Sequence, residues 1–262
     1  MKRLANLGLL LTLLGPLQVL AQSLFDGQWR IDDSLTQSTI HYDYLLQDGA
    51  FRCLTCDPST EVKADGQDHA VAGNPCYDTV SVRVLDDRTI EETDKKNGKT
   101  VGTLKMMVAG DGNTAAENWT ESCNAKGDVL SGEDVMNRVA PGPRGAHAVS
   151  GSWKISKRVS RSENNLVITL KLTVDAFSFS DPADQGYVAK LDGTETPFKG
   201  SLDGTVVSVK RIDEKTIEQT DKRNGKVVEV TRFVVSADGK TLNSSQEDKT
   251  NGTVRQFVLR KQ

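Results

Sequence analysis

Beyond residue 22 no window of this chain repeats its apolar residues every 3.6 positions, so amphipathic helices are not expected to build its core. The same region has no apolar run of the roughly 20 residues that a helical membrane span requires. Histidine is scarce. His41, His69 and His147 stand alone, with no second His or carboxylate at ligand spacing, which argues against a His-based metal centre. Neither Gly-x-Ser-x-Gly nor Ser-x-x-Lys occurs, so no motif of an activated serine is present. Aromatic residues are only 5% of the chain and prolines number 7, while Val, Thr and Gly abound, a composition that favours β structure over disorder. No charge of one sign dominates. After the first three residues 31 basic side chains are interspersed with 36 acidic ones, which speaks against nucleic acid or an anionic membrane as partner.

What is present begins with Met1-Lys2-Arg3, an apolar stretch from Leu7 to Leu14, Gly15-Pro16 and then Val19-Leu20-Ala21. This is the order of a cleaved secretory leader, expected over residues 1–21, with a soluble mature chain exported to the periplasm or beyond. The mature region is a duplication. Residues 80–114 shifted by 127 positions fall on 207–241 with 18 identities in 35, including Thr93-Asp-Lys-Lys-Asn-Gly-Lys99 on Thr220-Asp-Lys-Arg-Asn-Gly-Lys226. Each copy opens on Gly-x-Trp, at Gly27–Trp29 and Gly151–Trp153, and closes on an apolar strand carrying Arg138 or Arg260. The expected division is a first β-barrel repeat over 22–140, a Pro- and Gly-rich linker over 141–147 and a second β-barrel repeat over 148–262. Each copy reads as nine or ten short strands separated by turns such as Asn224-Gly225 and Asp238-Gly239. Such a meander must curl to hide its edges, so the expected fold is all-β, two tandem antiparallel up-and-down barrels, with packed sheets as the alternative.

A Gly-x-Trp on the first strand of a meander and an Arg on the last resemble the lipocalin-like, or calycin, architecture. In that group the Trp packs across one barrel end and the Arg stacks on it, so the resemblance implies Trp29 against Arg138 and Trp153 against Arg260 as closure pairs. The chain also resembles a set of exported bacterial proteins of unassigned function. Tyr44-Leu-Leu-Gln-Asp-Gly49, Cys53-Leu-Thr-Cys56 and Gly142–Trp153 are among the stretches that carry this likeness, which implies an envelope location and no particular activity.

Cys53 and Cys56 have the spacing of a redox or metal pair, but no βαβ unit surrounds them, a structural zinc needs four ligands, and Asp57 stands where a c-type haem needs His. A structural disulfide through a turn at Leu54-Thr55 is expected instead. Alternating strand directions bring Cys76 and Cys123 to the same sheet end as that pair, so all three connectivities are open, and 53–56 with 76–123 is preferred. The repeated Glu91/Glu218 and Asp94/Asp221 alternate with Thr and Lys, and no acid–base pair can be inferred from them. No catalytic residue, metal or cofactor is therefore expected. Val82, Val84, Met106 and Val108 in the first copy, with Val209, Phe233 and Val235 in the second, are the candidate lumen residues; the same side chains could instead fill a dry core. The expected function is non-enzymatic binding of a small apolar or amphipathic molecule, the alternative a ligand-free envelope module with an unspecified protein partner. The barrel interiors should decide between them: an apolar cavity favours the first, a filled interior the second, and a buried cluster of perturbed carboxylates an enzyme.

Overall fold

The computed structural model describes residues 23–262; the expected leader and Gln22 lie outside the described residues. Within them the strands are β1 (Gly27–Ile31), β2 (Gln37–Ser38), β3 (Tyr42–Gln47), β4 (Ala50–Cys53), β5 (Thr60–Lys63), β6 (His69–Ala70), β7 (Thr79–Asp86), β8 (Thr89–Lys96), β9 (Lys99–Val108), β10 (Thr114–Glu121) and β11 (Leu130–Pro141). The chain continues through β12 (Gly151–Arg161), β13 (Val167–Leu172), β14 (Ala176–Ser180), β15 (Gly186–Lys190), β16 (Thr196–Pro197), β17 (Val206–Arg211), β18 (Thr216–Arg223), β19 (Lys226–Val235), β20 (Thr241–Asp248) and β21 (Val254–Lys261). Every pairing is antiparallel, and tight turns explain why. Asn97-Gly98 and Asn224-Gly225 both take positive φ, the geometry that joins twisted strands in a short hairpin.

Two nearly closed barrels result. The first has strand order β5-β4-β3-β12-β11-β10-β9-β8-β7-β6, and the second β15-β14-β13-β1-β21-β20-β19-β18-β17-β16, with β2 beside β21. An Asp65–Arg83 bridge draws the free edges of the first together, and Gly186–Lys199 and Asp192–Lys210 bridges do so in the second. The expected all-β two-barrel class is what the chain adopts.

The barrels do not coincide with the repeats. β1, from the first copy, lies between β13 and β21 of the second barrel, pairing Trp29 with Ile168 and Lys261. β12, from the second copy, lies between β11 and β3 of the first, pairing Trp153 with Arg138 and Tyr42. The expectation that each copy pairs only within itself is overturned by the stretch read as a linker. Its few residues turn β12 straight back onto β11, Pro141 opposite Gly151, and Pro141 itself ends β11. The nine residues 142–150 between them let β12 return beside β11, as consecutive antiparallel strands commonly do. The place β12 would have taken beside β13 and β21 is then filled by β1.

Each barrel has its own apolar core. Leu46, Phe51, Val82, Met106, Met136 and Trp153 pack in the first; Phe25, Trp29, Phe177, Val209, Phe233 and Leu259 pack in the second. Both Trp rings are fully buried, and each indole N–H donates to the carbonyl four residues earlier at 2.8 Å, Phe25 for Trp29 and Val149 for Trp153. These rings close the barrel ends that face away from the crossovers.

Candidate functional site: the mouth of the first barrel

The strand exchange changes the closure pairs. Arg138 lies 4.0 Å above the ring of Trp153, not of Trp29, because β12 crossed into the first barrel. Its guanidinium also donates to the carbonyls of Gly112, Ser150 and Ala148 at 2.5–2.6 Å. Over Trp29 the cation is Lys261, 5.2 Å from the ring centre, rather than an arginine of either copy. Arg260 is one residue out of register. In a strand that step points it to the outer face, where it pairs with Asp32 at 3.8 Å. The cysteines pair as preferred, Cys53 with Cys56 across 5.4 Å between Cα atoms and Cys76 with Cys123.

The candidate lumen residues mark cores instead of a cavity. Val82, Met106, Val108, Val209, Phe233 and Val235 are buried against other apolar side chains. Val84 is 41% exposed, because β7 leaves the wall after Val82 and runs out towards the turn at Asp87. The apolar half of each barrel is simply filled.

The open space lies at the other end. A cavity of about 1180 Å³ occupies the mouth of the first barrel and reaches Ile31, Gln246, Arg255 and Phe257 of the second. Its wall follows from the pleat, since alternate residues of adjacent strands face inward in rows. The deepest row runs Ile90, Met106, Glu117, Asp134, its two apolar members packed in the core and its two acids reaching the cavity; the next is Glu92, Leu104, Trp119, Gly132; the outermost Asp94, Gly102, Glu121. Strand alternation that puts valine inside at the closed end thus puts carboxylates inside at the mouth. Glu91, the neighbour weighed from sequence, points outward to Arg83 and Lys105, whereas Asp94 points in.

Burial dominates the electrostatics. Desolvation pushes Glu117 up to about 7, with the negative charge of Asp134 adding to it. Glu92 and Asp94 lie side by side and can share a hydrogen bond once one of them is protonated; burial raises both, and repulsion from Asp94 and Glu117 lifts Glu92 further. Asp134 is 1% exposed and also raised by burial, opposed by the Trp119 indole N–H, which donates to Oδ2 at 3.1 Å, and by Arg161. Arg158 and Arg161 stand 3.4–3.8 Å from the carboxylates of Asp33 and Asp134. Trp119 is clamped between Arg161, 5.4 Å above its ring, and Gly132, where an added Cβ would lie 2.5 Å from the indole. Tyr42 and Tyr77 complete the aromatic wall.

Sequence reasoning missed Glu92, Glu117, Trp119 and Asp134. A usable signal existed in the shift of 127 positions carried on beyond residue 114, under which Glu92 meets Gln219, Gly102 meets Glu229, Glu117 meets Ser244 and Trp119 meets Gln246. Inward positions that differ between copies mark where the interiors diverge. No group of three or more His, Cys, Asp or Glu among the described residues is placed to hold a metal ion, and no described helix is long and apolar enough to cross a membrane. No family model matches the chain, and neither a curated protein nor a solved structure shows detectable similarity to it.

Proposed function

We propose that this is an exported, lipocalin-like binding protein that holds one small amphipathic molecule in the first-barrel mouth and does not transform it. The observation that carries the reading is the cavity of about 1180 Å³, large enough for a small organic molecule, in whose wall the rings of Tyr42, Tyr77 and Trp119 are interleaved with buried carboxylates and with Arg158, Arg161 and Arg255. Carboxylates at that depth favour a ligand with a polar end over a wholly apolar one. Export through the leader at 1–21 to the periplasm or the medium accords with the two disulfides, which belong to an oxidising compartment. The lipocalin-like assignment is supported by a buried Gly-x-Trp tryptophan under a cation at the closed end of both barrels.

Titration with Nile red, a neutral environment-sensitive dye, tests the site. Saturable one-to-one enhancement is expected, and Leu104→Trp, which fills the mouth, should abolish it while leaving the melting curve intact. Absence of saturable binding to the unaltered protein overturns the reading. An acid–base enzyme is the second reading, favoured by the side-by-side Glu92–Asp94 pair. Molecules that co-purify with the protein, released and added back to fresh protein, should be recovered unchanged. Their conversion, lost in Glu92→Gln, would assign the enzyme instead.

A further inference from the structure

The second barrel satisfies its own inward acids. There Gln219 donates to Asp221 at 2.7 Å, and Glu229 takes hydrogen bonds from Arg255 and Thr231 at 3.1 Å each. Arg255 occupies the wall position that Gly132 holds in the first barrel: Gln246 pairs with Arg255 as Trp119 pairs with Gly132. The first barrel therefore keeps the acids and lacks the inward guanidinium. Among the described residues no Lys, Arg or His lies within 4.0 Å of the carboxylates of Glu92, Asp94 or Glu117 in an ion pair; Arg158 and Arg161 stand against Asp33 and Asp134 at ion-pair distance, with the Arg161 Nε left without a hydrogen-bond acceptor. Two carboxylate oxygens on this wall, Oδ1 of Asp94 and Oδ1 of Asp134, are buried without any hydrogen-bond donor. Asp134 is the more telling, almost wholly buried on the cavity wall with only Arg158 Nη1 at 3.7 Å from that oxygen. A buried acceptor left without a donor is costly, and a donor arriving with the ligand removes the cost.

We infer that the molecule held in the first-barrel mouth is an organic cation, an amphipathic amine whose ammonium group enters among Glu92, Asp94, Glu117 and Asp134 while its apolar part lies against Trp119, Tyr42 and Tyr77. An ammonium supplies the donors these oxygens lack, and the same aromatic faces attract it. The space is far larger than a bare ion, so the cation carries a carbon skeleton. This inference rests on the cavity being a ligand site. Binding also competes with the protons held by the acids. Glu92 is faced by Asp94 from its own strand, Glu117 from β10, Asp134 from β11, Arg158 and Arg161 from β12, and Tyr42 and Tyr44 from β3; Tyr77 lies near Asp94, and Asp33, Glu121, Lys157 and, from β21, Arg255 also line the cavity. Only the carboxylates lose protons between pH 5 and 8, so a cation should bind more tightly at pH 8.

Isothermal titration of the full oxidised chain with hexylamine, hexanol and hexanoate tests this. Hexylamine is expected to bind one per chain, at least tenfold tighter than hexanol and at least threefold tighter at pH 8 than at pH 5, with no hexanoate binding. Glu92→Gln installs the residue that the second barrel already carries at this position, so it is compatible with the fold, and it should weaken hexylamine at least fivefold without weakening hexanol. Asp221→Asn, in the second barrel, should change neither. If hexanol and hexanoate bind as well as hexylamine, or if Glu92→Gln leaves hexylamine unaffected, the cation assignment fails and the ligand site stands. If none of the three binds and Nile red does not either, the site itself is lost.

Discussion

The two barrels descend from one repeated sequence and share a closed end, yet their mouths are built on opposite solutions. In the second, the inward rows read Ile217, Phe233, Ser244, Phe257, then Gln219, Thr231, Gln246, Arg255. Tyr187 donates its hydroxyl to Gln219 at 2.5 Å, and the rings of Phe177, Phe179, Tyr187, Phe198 and Phe233 pack against one another with centroids 5.8–6.4 Å apart. In the first, Glu117 replaces Ser244, Asp134 replaces Phe257, Glu92 replaces Gln219 and glycine replaces both Glu229 and Arg255. The second barrel neutralises its inward acids with its own Gln219, Thr231 and Arg255, even though Gln246, Arg255 and Phe257 also face the cavity. Charging the other, on the same scaffold, leaves Glu92, Asp94, Glu117 and Asp134 on a cavity wall, where burial holds them above their ordinary pKa without a guanidinium at the Gly132 position.

The exchange of first strands ties these dissimilar barrels together, and breaking it should have the largest effect. Cleavage in the exposed turn between Arg144 and Gly145 should leave one particle that elutes at the intact mass and separates only in denaturant, because β1 and β12 each lie in the other half's sheet. Residues 22–144 or 145–262 expressed alone should lack the cooperative melt of the whole chain. Two stable monomeric halves by size exclusion and circular dichroism would mean that the exchange does not occur in solution.

Removing a closing ring comes next. Trp29→Ala and Trp153→Ala should each cost about 3–5 kcal/mol in chemical denaturation, as for other fully buried large side chains. The location of the damage sharpens the comparison. Trp29 lies in the first repeat but closes the second barrel, so hydrogen exchange should accelerate over 206–261 and not over 79–121.

The acids separate the barrels by pH. Glu117 has a folded value near 7 against 4.5 for the ordinary group, so its proton is held more tightly in the folded state. Its contribution is fully present below pH 4.5 and is lost as pH rises through about 7, a decline on the order of 3 kcal/mol from this group. Glu117→Gln should flatten that decline and make the protein more stable than the parent at pH 8. Asp221, raised by burial to about 6 but hydrogen-bonded by Gln219, should give Asp221→Asn a smaller gain confined to a lower window, from about pH 4 to 6. Equal pH profiles for the two variants in urea titrations would erase the distinction drawn between the mouths.

The smallest difference is at the closed ends. Arg138→Ala removes a stacked guanidinium and leaves three carbonyls without their donor, and should cost about 2–3 kcal/mol. Lys261→Ala loses a more distant cation and a single bond to the Leu24 carbonyl at 3.2 Å, worth about 1 kcal/mol. Arg260→Ala, on the outer face, should fall below about 1 kcal/mol. A cost for Arg260 equal to that for Arg138 would restore the pairing read from the sequence.

Much of this was legible in one dimension. The turns expected at Asn224-Gly225 and Asp238-Gly239 fall where the fold turns from β18 to β19 and from β19 to β20, with positive φ at Asn224, Gly225 and Gly239. They do so because Asn-Gly and Asp-Gly turns are local properties of the chain. The duplication and the all-β class were likewise readable, since both depend on spacing alone, whereas strand parity left three cysteine connectivities open and the preferred one is what forms. Three things were decided only in space. Which sheet receives β1 and β12 depends on competition between identical edges, won by the short turn after Pro141. Whether Arg260 or Lys261 meets a tryptophan depends on a register step of one residue that sequence similarity between two arginines conceals. The site itself depends on depth: Glu92 and Val82 face each other across adjacent strands and both point inward, yet one lines a cavity and the other is packed dry. A side chain's alternation tells which face it takes. What waits at that face, solvent, core or a cavity that strips a carboxylate of its water, is set by strands far away in the chain.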